Sequence, residues 1–308
     1  MEFLRFLEGL RNPFADAVFS FITHFGEETV IIIIGLLFFW CIDKKQGYYI
    51  LFVGFAGTIA NQFLKLAFRI PRPWVQDPSL SVVEGARITA SGYSFPSGHT
   101  QAAVGIFGCV ARIQKNRFIR ALCITVCAAV PLSRMYLGVH TPLDVGVSLA
   151  TALILVFVMY PVVAKASRSP KSMRLFFAVM TVLSVIFLLF VKLYKFPADI
   201  DAENLSHGIK NAYKIFGCII GLWFAFEIDE KFIHFETKAV RWVQVLKLTL
   251  GIIPLFLIES GLKEPLYLIF NRSCLADGVR YFLITAFAGC VWPITFKYFS
   301  KLSQNKKN

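Results

Sequence analysis

The chain carries little charge for its size: Asp, Glu, Lys and Arg make up 17% of 308 residues, against 56% hydrophobic ones. A soluble domain of that composition would be left with too much apolar surface, which excludes the soluble classes and leaves a polytopic membrane protein. A mean hydropathy of +0.63 agrees. Acid is scarcer than base, with 19 Asp and Glu against 32 Lys and Arg and a formal net charge of +13. The basic surplus is scattered between apolar runs and forms no long stripe, so no nucleic-acid partner is expected and membrane orientation accounts for it better. A disulfide framework is missing too, because six of the seven cysteines fall in apolar runs and only Cys274 lies in a loop. Cys123 and Cys127, one helical turn apart, lack a third ligand and read as small packing residues rather than a metal pair. Nor does the second half repeat the first, as an anion transporter built on paired repeats would.

What is present is a series of nine apolar runs, near 27–41, 47–66, 98–114, 119–137, 142–164, 174–194, 208–226, 240–260 and 279–299. Helix is the conformation that satisfies their backbone in lipid, so the fold class is all-α, a polytopic membrane helix bundle. Residues 1–26 are expected to be an interfacial segment on the outer face. Phe3, Leu4, Leu7 and Leu10 recur at helical spacing against Glu2, Arg5, Glu8 and Arg11, without the basic end and cleavage site of a signal peptide. Asn12-Pro13 breaks this pattern, and Phe14 to Phe25 forms either a second interfacial helix or the outer end of the first span. Residues 27–170 then form a core and 171–308 a set of C-terminal transmembrane helices.

Short basic loops set the orientation. Asp43-Lys44-Lys45, Arg112 to Arg120, Lys165 to Arg174 and a tail with Lys301, Lys306 and Lys307 all fall on one side, which is expected to be cytoplasmic. The chemistry-bearing residues fall on the opposite side, so they are expected to face outward with the C-terminus cytoplasmic.

Those residues form three clusters: Lys65 with Arg72-Pro73, then Pro96-Ser97-Gly98-His99, then Ser133-Arg134 followed by His140 and Asp144. Taken singly, each has an ordinary role. Ser97 is a plausible helix N-cap, Pro96 a helix start, and Lys65 or Arg72 a snorkelling anchor. Together they suit one task. Three cations at the mouths of apolar runs suggest an anion with several oxygens, since guanidinium forks match phosphate. Ser97-Gly98-His99 opens a helical run whose first N–H groups lack intrahelical partners and point at an anion. Of two imidazoles, one can attack phosphorus while the other protonates the leaving oxygen. If Pro142 starts a helix, Asp144 can hold one ring nitrogen of His140 and leave the other free. The connection from Trp74 to Pro96 is long enough to shape the site, with Glu84, Arg87, Tyr93 and Phe95 candidates to line its mouth.

These three clusters resemble, in order and spacing, the signature motifs of the type 2 phosphatidic acid phosphatase (PAP2) superfamily, which also contains glucose-6-phosphatase, bacterial lipid phosphatases and the vanadium haloperoxidases. The resemblance implies a PAP2/haloperoxidase-like catalytic core in which His140 is the nucleophile, forming a phosphohistidine, and His99 the general acid. It further implies that Lys65, Arg72, Ser97, Gly98 and Arg134 bind the phosphoryl oxygens, that Asp144 orients His140, and that no metal or other cofactor is needed.

The layout departs from many bacterial lipid phosphatases of the superfamily, which have six spans with the lysine motif after the third. Here that motif follows the second span and four spans trail the core, a layout closer to glucose-6-phosphatase. A lipid phosphate or polyprenyl diphosphate is nevertheless the expected substrate. Lys65, Arg72 and Trp74 lie where a span meets the interface, and few groups near the motifs (Asn61, Gln62, Thr89, Gln101) could read sugar hydroxyls. A bacterial plasma membrane is the expected location and its lipid bilayer the partner. The alternatives are a sugar phosphatase, a phosphotransferase that shares the first half-reaction and, outside the enzymes, an anion transporter.

Overall fold

The computed structural model describes residues 1–88 and 90–304, except the side chains of Ser300, Lys301, Ser303 and Gln304. Thr89, Lys306, Lys307 and the side chain of Lys301, all named above, therefore lie outside the described residues. The described chain is helical and contains no strand. In order it forms α1 (Glu2–Gly9), α2 (Pro13–Thr23), α3 (Glu28–Leu37), α4 (Lys44–Phe68), α5 (Pro73–Gln76), α6 (Gly98–Ile113), α7 (Arg117–Tyr136), α8 (Pro142–Ala166), α9 (Pro170–Leu193), α10 (Ala202–Ile228), α11 (Arg241–Gly261), α12 (Lys263–Ile269), α13 (Leu275–Ala286) and α14 (Phe296–Gln304).

The helix ends follow from local chemistry. Asn12 caps α2, accepting from the Ala15 N–H at 3.0 Å, with Pro13 in the first turn. Ser97 caps α6, Asn116 caps α7 and Ser169 caps α9. Pro142 opens α8, as its position implies. The end of α4 is set earlier than the Pro71-Arg72-Pro73 run, by Arg69 in a left-handed conformation with φ of 51°.

Among the described residues seven helices are long and apolar enough to cross a membrane, or eight if α2 and α3, bent by 51° at the break between them, make one span. The count of nine is therefore approximate, and the run that this measure leaves out is 98–114. Its helix α6 has only 16 residues, about 24 Å at 1.5 Å per residue, short of a hydrocarbon layer of about 30 Å. Large apolar side chains such as Phe118, Ile154, Phe157, Leu175, Ile186 and Leu257 lie exposed along the long helices, as lipid-facing residues must.

The described residues pack as two compact units. The first comprises Met1–Ile32, Ile50–Tyr160 and Phe196–Gly208 and contains all three motif clusters; the second is the rest of the described chain. In the first, α6 packs closely against its neighbours. A Cβ on Gly105 would sit 3.5 Å from Val53, and one on Gly108 3.2 Å from Val156. Not every small residue serves this purpose, because Ala128, Gly146 and Ala150 lie on the outer surface. The amphipathic split of α1 also differs from its pattern. Leu4 and Leu7 are buried while Phe3 and Leu10 are exposed, and Arg5 and Glu8 also bind other parts of the chain. Arg5 pairs with Asp77 at 2.6 Å, and Glu8 accepts from the Ser81 hydroxyl and N–H. Those bonds hold the Glu8 carboxyl below its ordinary range.

The second unit has its own buried polar contacts. Trp40 donates to the Ala288 carbonyl at 2.7 Å, and Lys44 pairs with the buried Asp229. Asp277 holds Arg280 at 2.8 Å and the Tyr267 hydroxyl at 2.9 Å, and Arg280 reaches the Glu259 carbonyl at 3.1 Å. These contacts of Glu259 and Asp277 tie α11, α12 and α13 together.

Candidate active site

Lys65, His99, Arg134 and Asp144 stand at ends of α4, α6, α7 and α8, so four helices of one unit deliver side chains to a common place. Lys65, Arg72, Ser97, Arg134, His140 and Asp144 are all buried, Arg134 completely. Lys65 does not snorkel. Its ammonium donates to the Tyr93 carbonyl.

Arg72, the residue before α5, uses four donations. Nε reaches the Gly92 carbonyl at 3.0 Å, Nη2 the Ser91 carbonyl at 2.6 Å, and Nη1 both the Val139 carbonyl at 3.1 Å and His140 Nε2 at 2.9 Å. The last contact fixes the histidine's tautomer. A guanidinium has only donors, so Nε2 must accept and the neutral ring carries its proton on Nδ1. Nδ1 faces Asp144 Oδ2 at 3.4 Å and the Ser94 hydroxyl at 3.5 Å. Asp144 Oδ2 is itself held by Ser94 Oγ at 2.6 Å and the Thr141 N–H at 2.8 Å. The imidazole therefore presents its lone pair toward the cations, as a nucleophile at phosphorus needs. Burial first, and then the charges of Arg72, Arg134 and Lys65, hold the His140 ring well below its ordinary range and so neutral.

Ser97 is the helix cap that its position implies. Its side chain caps α6 at the Thr100 N–H, 3.4 Å away, and its own N–H donates to the Asp144 carbonyl at 3.2 Å, joining the second cluster to the third. Gly98 is not required by packing, since the nearest neighbour of an added Cβ would be Asn61 Oδ1 at 3.8 Å. Asn61 lies one turn before Lys65 on the same face of α4 and gives its amide N–H to the Pro96 carbonyl at 3.3 Å, which turns Oδ1 the other way.

Several buried polar atoms here have no hydrogen-bond partner among the described residues: Asn61 Oδ1, His99 Nε2, and Nε and Nη2 of Arg134. Orphaned buried polar groups are costly; Asn61 Oδ1 can only accept, whereas the two Arg134 nitrogens can only donate and suit an anion. Among the described residues no group of three or more His, Cys, Asp or Glu is arranged to hold a metal.

All eight residues read from sequence thus belong to one unit, with contacts joining Arg72 to His140 and Ser97 to Asp144. The loop candidates separate. Tyr93 and Phe95 are buried, Phe95 packing edge-on against Phe68. Arg87 lies over the Trp74 ring at 5.4 Å, and Glu84 is exposed. Trp74, read as an interfacial anchor, packs partly buried beside a core of Ala86, Ala90, Tyr136, Leu137 and Val139. Ser94, Thr141 and Thr23 were missed. Thr23 accepts from Arg134 Nη1 at 2.8 Å. No spacing rule points to a threonine so far from its partner, and Ser94 is marked only by lying three residues before Ser97. His24, outside these clusters, is exposed and bound to Glu27 at 2.6 Å.

Two segments of the chain match known families: the PAP2 superfamily over residues 46–168, and the transmembrane extension of PAP2 superfamily phosphatases over 213–305. The undecaprenyl-diphosphatase BcrC of Bacillus subtilis is 29% identical over 165 residues, covering 52% of this chain and 81% of that protein. The lipid A 4'-phosphatase of Porphyromonas gingivalis is 30% identical over 164 residues, 51% of this chain and 69% of that protein. Phosphatidylglycerophosphatase B of Bacillus subtilis is 28% identical over 163 residues, covering 49% and 76%. No solved structure matches the chain significantly. An all-helical chain with these apolar spans and these relatives is an integral-membrane phosphatase. It belongs to the PAP2 superfamily, and its C-terminal helices carry that superfamily's transmembrane extension.

Proposed function

We propose that the protein hydrolyses the phosphate monoester or diphosphate of a membrane lipid at the outer face, through a phosphohistidine on His140. The observation that carries this is the fixed tautomer of His140, with Nδ1 turned to Asp144 and Nε2 turned to Arg72. In the first step Nε2 attacks phosphorus, the bond to the leaving oxygen breaks, and His99 gives that oxygen its proton. In the second, water attacks the phosphohistidine, His99 takes the water's proton, and phosphate and free His140 are released. Lys65, Arg72, Arg134, the Ser97 hydroxyl and the first N–H groups of α6 from Gly98 onward hold the oxygens on which charge develops. These residues sit within a catalytic part taken as 27–170, to which 171–308 adds helices.

The lipid substrate is supported by the burial of the site at helix ends, where a lipid could keep its tail in the bilayer, and by relatives named for lipid phosphates and a polyprenyl diphosphate. The outer-face assignment rests on the basic loops at 43–45, 112–120 and 165–174 lying at the opposite ends of the same helices. The test is phosphate release from a short polyprenyl diphosphate, phosphatidic acid and glucose 6-phosphate in one detergent. A lipid substrate is expected to exceed glucose 6-phosphate in kcat/KM by tenfold or more, about 1.4 kcal/mol in transition-state binding. A preference for the sugar phosphate of that size would overturn the substrate class.

A further inference from the structure

The N-terminal segment lies outside the PAP2 match at residues 46–168, yet it touches the elements that carry the site. Asp16, Phe19 and Thr23 recur at helical spacing on one face of α2 and meet the end of α7. Asp16 accepts from the Tyr136 hydroxyl at 2.7 Å, Phe19 stacks on the Tyr136 ring at 4.1 Å, and Thr23 accepts from Arg134 Nη1 at 2.8 Å. Gly26 follows with its backbone against His99, where a Cβ would come within 2.8 Å of the His99 carbonyl oxygen. From α1's end, Arg11 donates to the Tyr136 carbonyl at 2.9 and 3.1 Å and to the Ser81 carbonyl at 2.9 Å.

The Thr23 contact selects which edge of Arg134 stays open. Guanidinium has two bidentate edges, and the one formed by Nε and Nη2 grips an oxyanion side-on with two parallel N–H bonds. Those are the two nitrogens of Arg134 that lack a partner among the described residues, while Nη1 on the far side is taken by Thr23. The side chain is wholly buried, so water does not offer Nη1 a substitute and its orientation depends on the acceptor it finds.

We propose that Thr23 is a positioning residue for phosphoryl binding: its hydroxyl oxygen holds Arg134 Nη1 so that the Nε–Nη2 edge meets the phosphoryl oxygens, making the N-terminal segment part of the active site. This rests on the proposed role of Arg134 in binding those oxygens. Thr23 acts through Arg134 alone and does not touch the reacting atoms.

The experiment compares Thr23→Val, which keeps the shape and removes the acceptor, with Thr23→Ser, which keeps the hydroxyl, in the full-length protein in detergent. The readouts are kcat/KM on a lipid phosphate and the inhibition constant of inorganic phosphate. Thr23→Val is expected to weaken phosphate inhibition about tenfold and lower kcat/KM by at least as much, while Thr23→Ser recovers most of both. Added to Arg134→Ala, Thr23→Val should weaken phosphate inhibition no further, because the two act as one unit. Should Thr23→Val not fold, Thr23→Cys, with its weak sulfur acceptor, takes its place in the comparison. Wild-type phosphate inhibition in the folded Val or Cys variant, alongside loss in Arg134→Ala, would overturn the inference and leave the proposed site standing. Wild-type inhibition in Arg134→Ala would instead remove the proposed site itself.

Discussion

His140 is the residue whose surroundings say most about chemistry. A ring with Arg72 on one nitrogen and Asp144 and Ser94 on the other has one tautomer available, and burial among cations disfavours its protonation. The consequence for pH follows with its sign. A base whose folded-state value lies below its ordinary one stays deprotonated to lower pH, so the nucleophile remains competent below the ordinary imidazole value of about 6.5. In that window the unfolded chain binds the proton and the folded chain does not, so this group makes stability rise with pH. The rate of phosphoenzyme formation, measured by rapid mixing from pH 4 to 8, is expected to show no loss centred near 6.5 assignable to His140. A ring titration at that value, in NMR signals that disappear when His140 is replaced, would contradict the geometry. Ser94 was missed in this arrangement because a serine announces no role in sequence; only the fold brings its hydroxyl to Asp144.

At the scale of elements, the motifs were legible because each sits at a helix end and helix ends have sequence rules. Ser97 before Gly98, Pro142 two residues before Asp144 and Arg134 in the last turn of α7 all read correctly from capping and spacing. What did not read was the connection between α7 and α8, which must reverse the chain and deliver His140 within four residues of Tyr136. Gly138 makes the turn with φ of 80°, and a Cβ there would come within 2.7 Å of Arg11 Nη2 and 2.9 Å of the Ser81 carbonyl. Gly138→Ala is therefore expected to cost about 1–2 kcal/mol from the left-handed backbone alone, and more from the crowding. Thermal unfolding in detergent should fall and kcat should fall with it, since the turn carries His140. A variant with wild-type stability would show that the α7–α8 turn is differently built. The polar face of α1 was misjudged for a related reason: Arg5, Glu8 and Arg11 look like groups for water, but Asp77, Ser79 and Ser81, some seventy residues later, compete for them. Helical periodicity records the face and not its partner.

For the whole molecule, composition alone fixed the class, because 56% hydrophobic residues leave no soluble alternative. The span count was less secure, since apolar run length and helix length are different quantities. The run at 98–114 starts at the site, and α6 is correspondingly short. The N-terminal segment was set apart as interfacial, whereas Thr23, Gly26 and Arg11 join it to the unit that bears the motifs. The central claim for that unit is that His140 takes the phosphoryl group. The most direct measurement is to mix the purified protein with substrate labelled at the reacting phosphate, quench in alkali within milliseconds, where phosphohistidine survives, and locate the label by peptide mapping. Label on the peptide containing His140, absent from His140→Ala and building up in His99→Ala when a good leaving group lets transfer outrun hydrolysis, is the expected result. Label elsewhere, or label retained in His140→Ala, would contradict the account.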